Sequence, residues 1–260
     1  MQAFAYNTPG SVADAVKAAA LEDSKYIAGG QTLLQSMKLG LIAPSALIDL
    51  GAIAEMKGIC RDGNNVVIGA ATTHAEVAAS KDVQQAIPAL AELAGHIGDR
   101  QVRNRGTLGG SLANNDPAAC YPAAVLGLGA TVHTDRRDIA ADDFFVGLYT
   151  TALAEDEVIT AVSFPVPEKA GWQKFKQPAS RFSIIGVFTS KGPKGVRVAV
   201  TGGGNGVFRA SALEAQLAGN YSAAALAGAT VSADGLNSDL HGSAEYRAAL
   251  IPVLAARAVG

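Results

Sequence analysis

The sequence predicts an α+β protein of two domains, and three features carry that expectation. The opening segment alternates a helix with short strand-like runs in a compact βαβ order. The middle segment runs strand, turn, helix and strand, a larger mixed α/β part. In the final third, strands come first and helices afterwards, which suggests an antiparallel sheet layered with helices. The first domain is expected over residues 1–166, in subdomains of about 1–55 and 56–166, and the second over 167–260. The boundary falls in "FPVPEKAGWQ", where proline, glycine and charge cluster.

Taken in order, "SVADAVKAAALED" has small apolar residues at helical spacing and opens on Ser11, an N-cap residue type. "KYIAGG" is a short β-like run ending in glycines, and "SALIDL" reads as a buried strand. "NNVVIGAATTHAEVAAS" reads as a strand, a turn and a helix starting near Thr73. "DVQQAIPALAELAGHIG" is a further helix, with Pro88 as a point of interruption. "ATVHTD" and "DEVITAVSFPVP" are strands, the latter halted by Pro165 and Pro167. Beyond the boundary, "WQKFKQ", "SIIGVFTS" and "VRVAVTGGG" are strand-like. "SALEAQLAG", "SAAALAGATV" and "SAEYRAALIPVLAARAV" are helical.

Composition excludes several classes of function. The chain has 260 residues, 49% of them hydrophobic and 17% charged, which suits a globular protein with real cores. A net charge of −2 supplies no basic field for nucleic acid or an acidic membrane surface. Neither a run of transmembrane length nor a signal-peptide pattern is present, so a cytoplasmic location is expected. The two cysteines, Cys60 and Cys120, are far apart and cannot by themselves ligate an iron–sulfur cluster. The four histidines are scattered, so no metal site is expected.

Two glycine-rich stretches carry the chemistry, "YIAGGQTLLQSMKLG" and "RNRGTLGGSLANNDP". A glycine pair lets the backbone approach a ligand and turn its N–H groups inward, and neighbouring hydroxyls add donors; such a nest holds phosphate without a lysine. Gly29, Gly30, Gln31 and Thr32 form the first candidate nest; Gly106, Thr107, Gly109, Gly110 and Ser111 form the second. Either stretch taken alone is equally readable as a turn. Neither the P-loop pattern nor the dinucleotide G-x-G-x-x-G pattern occurs, and "VTGGGNG" reads as a turn.

The order "AGGQTLLQSMKL…LIDL", "IGAATTHAEVA", "IGDRQVRNRGTLGGSLANNDPAACYPAAVLGLGATV" and "FKQPASRFSIIGV" resembles the FAD-binding medium subunit of molybdenum hydroxylases, the family of xanthine dehydrogenase and carbon monoxide dehydrogenase flavoproteins. The resemblance covers nearly the whole chain. It implies that the first domain binds FAD and that both glycine stretches grip its pyrophosphate. It implies a first FAD loop over Ile27, Ala28, Gly29, Gly30, Gln31, Thr32 and Leu33. The second comprises Gly106, Thr107, Gly109, Gly110 and Ser111, with Asn114 near the ribityl or phosphate region. It implies Ile97 and Ile159 as apolar residues about the adenine, and Lys176 near the isoalloxazine. Where the family often has an aspartate after "DPAA", this chain has Cys120, so an acidic contact would fall to Asp116 or be absent.

Other residues read more simply. Cys120 fits an inert buried thiol better than a redox centre. His96, at a helix end, fits a carbonyl cap, and Trp172 fits packing at the domain boundary. Arg103 and Arg105 suit either a phosphate or a surface or partner carboxylate. The resemblance further implies an electron-transfer subunit. Its partners would be a large subunit carrying the molybdenum cofactor and a small one carrying [2Fe–2S] clusters, in a dimer of heterotrimers. The alternatives are a stand-alone FAD-dependent oxidoreductase with its own substrate pocket, and an interaction module without flavin.

Overall fold

The computed structural model describes residues 2–260, built on three main sheets and a small hairpin. The first sheet is wholly parallel, with Ala46–Asp49 between Ala5–Asn7 and Ser24–Ile27. Parallel neighbours require crossovers, supplied by the helices Val12–Ala19 and Leu33–Lys38. Ser11 caps the first of these, accepting from Asp14 N at 3.1 Å. The edge strand Ala5–Asn7 carries no hydrophobic alternation and is not evident in the sequence reading.

The second sheet is antiparallel, in the order Ile59–Asp62, Asn65–Gly69, Ile159–Pro165, Thr131–Thr134, Asp138–Ala140. Its buried face packs on helices that begin where the sequence says they should. Thr73 forms a capping box with Glu76: its hydroxyl accepts from Glu76 N at 3.3 Å, and its own N–H donates to Glu76 Oε2 at 2.7 Å. The segment after it is two helices, Lys81–Ala86 and Pro88–Gly95. The break falls at Ile87, because proline forces the residue before it out of the helical region and then serves as a first helical residue.

The helix Tyr121–Leu128 has all eight residues buried and is apolar all round, so no 3.6-residue stripe announces it. It joins the second sheet to the third, an antiparallel array of Lys169–Lys176, Ser183–Gly192, Gly195–Thr201 and Phe208–Arg209. The Leu126 carbonyl accepts from Arg197 Nε at 2.8 Å and the Gly127 carbonyl from Ser190 Oγ at 2.6 Å. Phe188, fully buried, lies against Gly127, where a Cβ would come within 2.9 Å of its ring. Burying such a ring contributes about 2–3 kcal/mol.

The long helix Ala244–Val259 covers the third sheet. Arg247 anchors it: Nη1 donates to the carbonyls of Ile184 and Gly202 at 2.7 Å each, and Nη2 pairs with Asp239. The stretch "SAAALAGATV", expected as a helix, is a single 3-10 turn over Ala223–Leu226. Gly228 follows at φ +74°, a left-handed conformation that stops helical propagation, and the β-branched Thr230 and Val231 come next. The glycines of "VTGGGNG" are a turn, as read. Gly202 sits at φ +82° and donates to the Pro117 carbonyl at 2.8 Å, while the Thr201 hydroxyl lies 2.9 and 2.7 Å from the Pro117 and Ala119 carbonyls. The third sheet thus fixes the loop that follows the second glycine stretch.

Candidate cofactor site

Both glycine stretches wall one cavity of about 670 Å³, a size typical of small-molecule and cofactor sites. The first leaves the strand Ser24–Ile27 and enters the helix Leu33–Lys38. Gly30 turns the chain at φ +68°, where a side chain would be strained, and Gln31 Nε2 folds back on the Gly29 carbonyl at 3.3 Å. Thr32 occupies the helix N-cap position with its hydroxyl uncommitted to the cap.

The second stretch is pinned from behind. His74 N donates to the Gly106 carbonyl at 2.9 Å, Leu108 N to the Thr72 carbonyl at 3.1 Å and Gly109 N to the Ala70 carbonyl at 2.8 Å. Gly109 is required by this packing, since a Cβ would stand 2.6 Å from that of Ala70. Thr107 then caps the helix Leu108–Asn114, its hydroxyl accepting from Gly110 N at 3.2 Å, while Ser111 N donates to the Thr107 carbonyl. This corrects the sequence reading of the second stretch as a nest of inward N–H groups. The N–H groups of Gly109, Gly110 and Ser111 are spent within the fold, and its glycines serve close approach. The Ser111 hydroxyl and the Asn114 amide are its side-chain donors on the cavity wall.

The two stretches touch. A Cβ on Gly29 would stand 2.1 Å from the Arg105 carbonyl oxygen and 2.7 Å from Gly106 Cα, so the backbones meet where only glycine fits. This contact makes one site of two segments distant in sequence.

Of the residues singled out from the sequence, Ile27 through Leu33, Ile97, Gly106, Thr107, Gly109, Gly110, Ser111, Asn114, Asp116 and Ile159 all line the cavity. Lys176 does not. Two residues apart on a regular strand, Lys174 and Lys176 would share a face. The register shifts between Phe175 and Lys176, and Lys174 is the one that reaches the cavity. Ile97 and Ile159 come from different elements. Ile97 lies in the segment whose carbonyls receive Lys174, Arg103 and Arg181; Ile159 opens a strand beside Val158 and Glu157.

Asp116 holds its own loop, Oδ1 accepting from Ala118 N at 2.8 Å. Arg103 donates to the Ile97 and Gly98 carbonyls at 3.1 Å each, which fixes that wall. The backbone of His96 caps a helix, and Trp172 is buried in the main core against Phe188. Cys120 is buried at the cavity edge with Sγ 3.2 Å from Lys174 Nζ.

Three further wall residues escaped the sequence reading: His74 and Glu157 lie outside both glycine stretches, and Tyr26 opens the first one ahead of its glycines. Burial, helped by the Arg103 charge, lowers the pKa of His74 to about 4, so its ring is neutral at physiological pH. Glu157 is held at about 2, chiefly by the Arg137 guanidinium, which meets its buried carboxylate at 2.8 Å. Tyr26 is pushed up to about 12, mainly by burial, and donates to the Asp156 carbonyl at 3.0 Å. A second polar chain, Ser163–His133–Asp138 with both links at 2.6 Å, involves none of the cavity-lining residues.

Residues 2–167 match the family described as the FAD binding domain in molybdopterin dehydrogenase. The chain is 38% identical to the nicotine 6-hydroxylase medium subunit of Paenarthrobacter nicotinovorans, over 100% of this chain and 97% of that one. It is 34% identical to the carbon monoxide dehydrogenase medium chain of Hydrogenophaga pseudoflava, over 98% and 96%. Among solved structures, carbon monoxide dehydrogenase from Hydrogenophaga pseudoflava superposes with a TM-score of 0.90 at 35% identity, covering 99% of this chain and 96% of that one. Quinoline 2-oxidoreductase from Pseudomonas putida 86 gives 0.89 at 29% identity, with coverage of 99% and 96%.

Proposed function

The chain belongs to the molybdopterin dehydrogenase family of FAD-binding domains, and we propose that it is the FAD-binding electron-transfer subunit of a molybdenum hydroxylase. In this reading, one FAD lies along the cavity without a covalent link. Electrons arrive from [2Fe–2S] clusters of a small partner subunit and leave to an external acceptor. A large partner subunit holds the molybdenum cofactor and the substrate, and the whole is a cytoplasmic dimer of heterotrimers. The medium-subunit names of the relatives support this arrangement, as do the chain's two isolated cysteines. Among the described residues, no helix is long and apolar enough to cross a membrane. We assign FAD binding to residues 1–166 and the third sheet with its helices to a second domain, 167–260.

The observation that carries the reading is the glycine-only contact between Gly29 and Arg105. It brings two loops, distant in sequence, onto one cavity. FAD bound there supplies redox chemistry that no side chain provides. The chain's own residues bind and orient. The backbone of Gly29 to Gln31, with the hydroxyls of Thr32 and Ser111 and the Asn114 amide, offers hydrogen-bond donors to the pyrophosphate and ribityl hydroxyls. Ile27, Leu153, Val158 and Ile159 offer apolar surface to a flat ring. Equilibrium titration of the apoprotein with FAD tests this. One FAD per chain is expected, all of it released on denaturation; FAD that stays free, or stays with the precipitate, contradicts the reading.

A further inference from the structure

We infer that Cys120 and Lys174 form an oxidant-responsive pair, joined by a sulfur–nitrogen bond when hydrogen peroxide reaches the cavity. The two residues are 54 positions apart in the chain, and Lys174 Nζ donates to Cys120 Sγ at 3.2 Å. The same ammonium donates to the His96 carbonyl at 3.1 Å, and the Ser183 hydroxyl lies 3.8 Å from the same sulfur. Among the described residues, no carboxylate oxygen lies within salt-bridge distance of Lys174. No ion pair therefore draws the nitrogen away from the thiol. Burial of Cys120 agrees with the thiol expected from the sequence, but inertness does not follow from it. Cys120 lines the cavity together with Lys174, so a molecule as small as peroxide has a route to the sulfur. A lysine amine against a thiol makes the electropositive surroundings typical of reactive cysteines.

The chemistry has two steps. Peroxide transfers one oxygen to the Cys120 thiol, giving a sulfenic acid, and leaves as water. The Lys174 nitrogen, having given one proton to solvent, then attacks that sulfur. The S–N bond forms, the S–O bond breaks, and the hydroxyl group leaves as water with a second proton from the nitrogen. Sulfur loses two electrons and peroxide gains them, so the thiol and amine together lose two hydrogens. Sulfenic acids close onto backbone nitrogen in the same way, and here a side-chain amine takes that place. Both main chains are fixed: Cys120 precedes the buried helix Tyr121–Leu128, and Lys174 pairs with Gly186 in the third sheet. Rotation about the flexible lysine stem closes the remaining gap. The product replaces an ammonium by a neutral link, which removes a positive charge from the cavity wall and ties the third sheet to that helix. An added thiol reverses the step, returning thiol and amine as the reductant becomes its disulfide.

The test uses the full chain carrying Cys60→Ser, so that Cys120 is its only thiol. The protein is treated with hydrogen peroxide, the excess is removed, dimedone is added to trap any sulfenic acid, and intact mass and peptide map are read. The expected result is a loss of two hydrogens, a single cross-linked peptide pair joining Cys120 to Lys174, and return to the starting mass with dithiothreitol. Lys174→Arg keeps a hydrogen-bond donor, but its guanidinium stays protonated. It should give no cross-link and a dimedone adduct at Cys120. Lys176→Met, outside the cavity, should cross-link as the parent chain does. Cys120 recovered from the parent chain as a dimedone adduct, a sulfinic acid or an unreacted thiol, with Lys174 free, overturns the inference. So does a link from Cys120 to any other nitrogen. Should Lys174→Arg fail to fold, the peptide map of the parent chain decides by itself. The readout needs no bound cofactor, so its failure is distinct from a failure to bind FAD.

Discussion

Replacing Gly29 by alanine adds one methyl group at the point where the two glycine stretches meet. The new Cβ would stand 2.1 Å from the Arg105 carbonyl oxygen, well over 1 Å short of the ~3.5 Å at which nonbonded heavy atoms normally meet. The obstacle is backbone, with Gly106 Cα at 2.7 Å behind it, so no rotamer change relieves the clash and the stretches must separate. Overpacking of this kind costs about 1–3 kcal/mol, and a clash with main chain belongs at the upper end. If the stretches move apart, the cost falls on the ligand that bridges them. At about 1.4 kcal/mol per tenfold, FAD should bind roughly a hundredfold more weakly. Quenching of FAD fluorescence on titration into apoprotein measures this directly. Gly10→Ala is the control, because nothing lies within 4 Å of its Cβ position. A Gly29→Ala protein that binds FAD as tightly as wild type would refute the argument that this contact builds the site.

Other outcomes follow from the same structure. His74 has a folded-state pKa of about 4 against 6.5 when exposed, so above pH 6.5 the ring is neutral in both states and stability is unaffected. As pH falls from 6.5 to 4 the unfolded chain takes up the proton first, and a stability loss on the order of 3 kcal/mol develops. Denaturant unfolding of His74→Gln against wild type should show a flatter profile in that window, and parallel profiles would count against it. Arg247→Met leaves two buried carbonyls without their donor and unpairs Asp239 from the helix that covers the third sheet. A loss of about 3 kcal/mol, or roughly 6–12 °C in thermal midpoint, is expected; an unchanged midpoint would remove Arg247 as the anchor.

What was legible in the sequence is what short-range chemistry dictates. Ser11 and Thr73 cap helices because their hydroxyls reach N–H groups three residues on, and Pro88 breaks a helix because of its own ring. The glycine pairs were visible as loops of special conformation, but their use was only half visible. Leu108–Asn114 is a helix despite two glycines of low propensity, because Gly109 alone fits against Ala70. That contact is tertiary and takes the Gly109 N–H, while the Thr107 cap takes those of Gly110 and Ser111. Tyr121–Leu128 carries no amphipathic stripe because every side is buried. The exchange of Lys176 for Lys174 comes from a bulge between strands, which a period of two does not encode.

Anaerobic mixing distinguishes a relay subunit from a self-sufficient enzyme. The FAD-loaded chain is combined with the molybdenum and iron–sulfur subunits, a substrate of that complex is added, and flavin absorbance is followed. Bleaching is expected only when the partner subunits are present. Bleaching by substrate with this chain alone would contradict it and establish a stand-alone oxidoreductase.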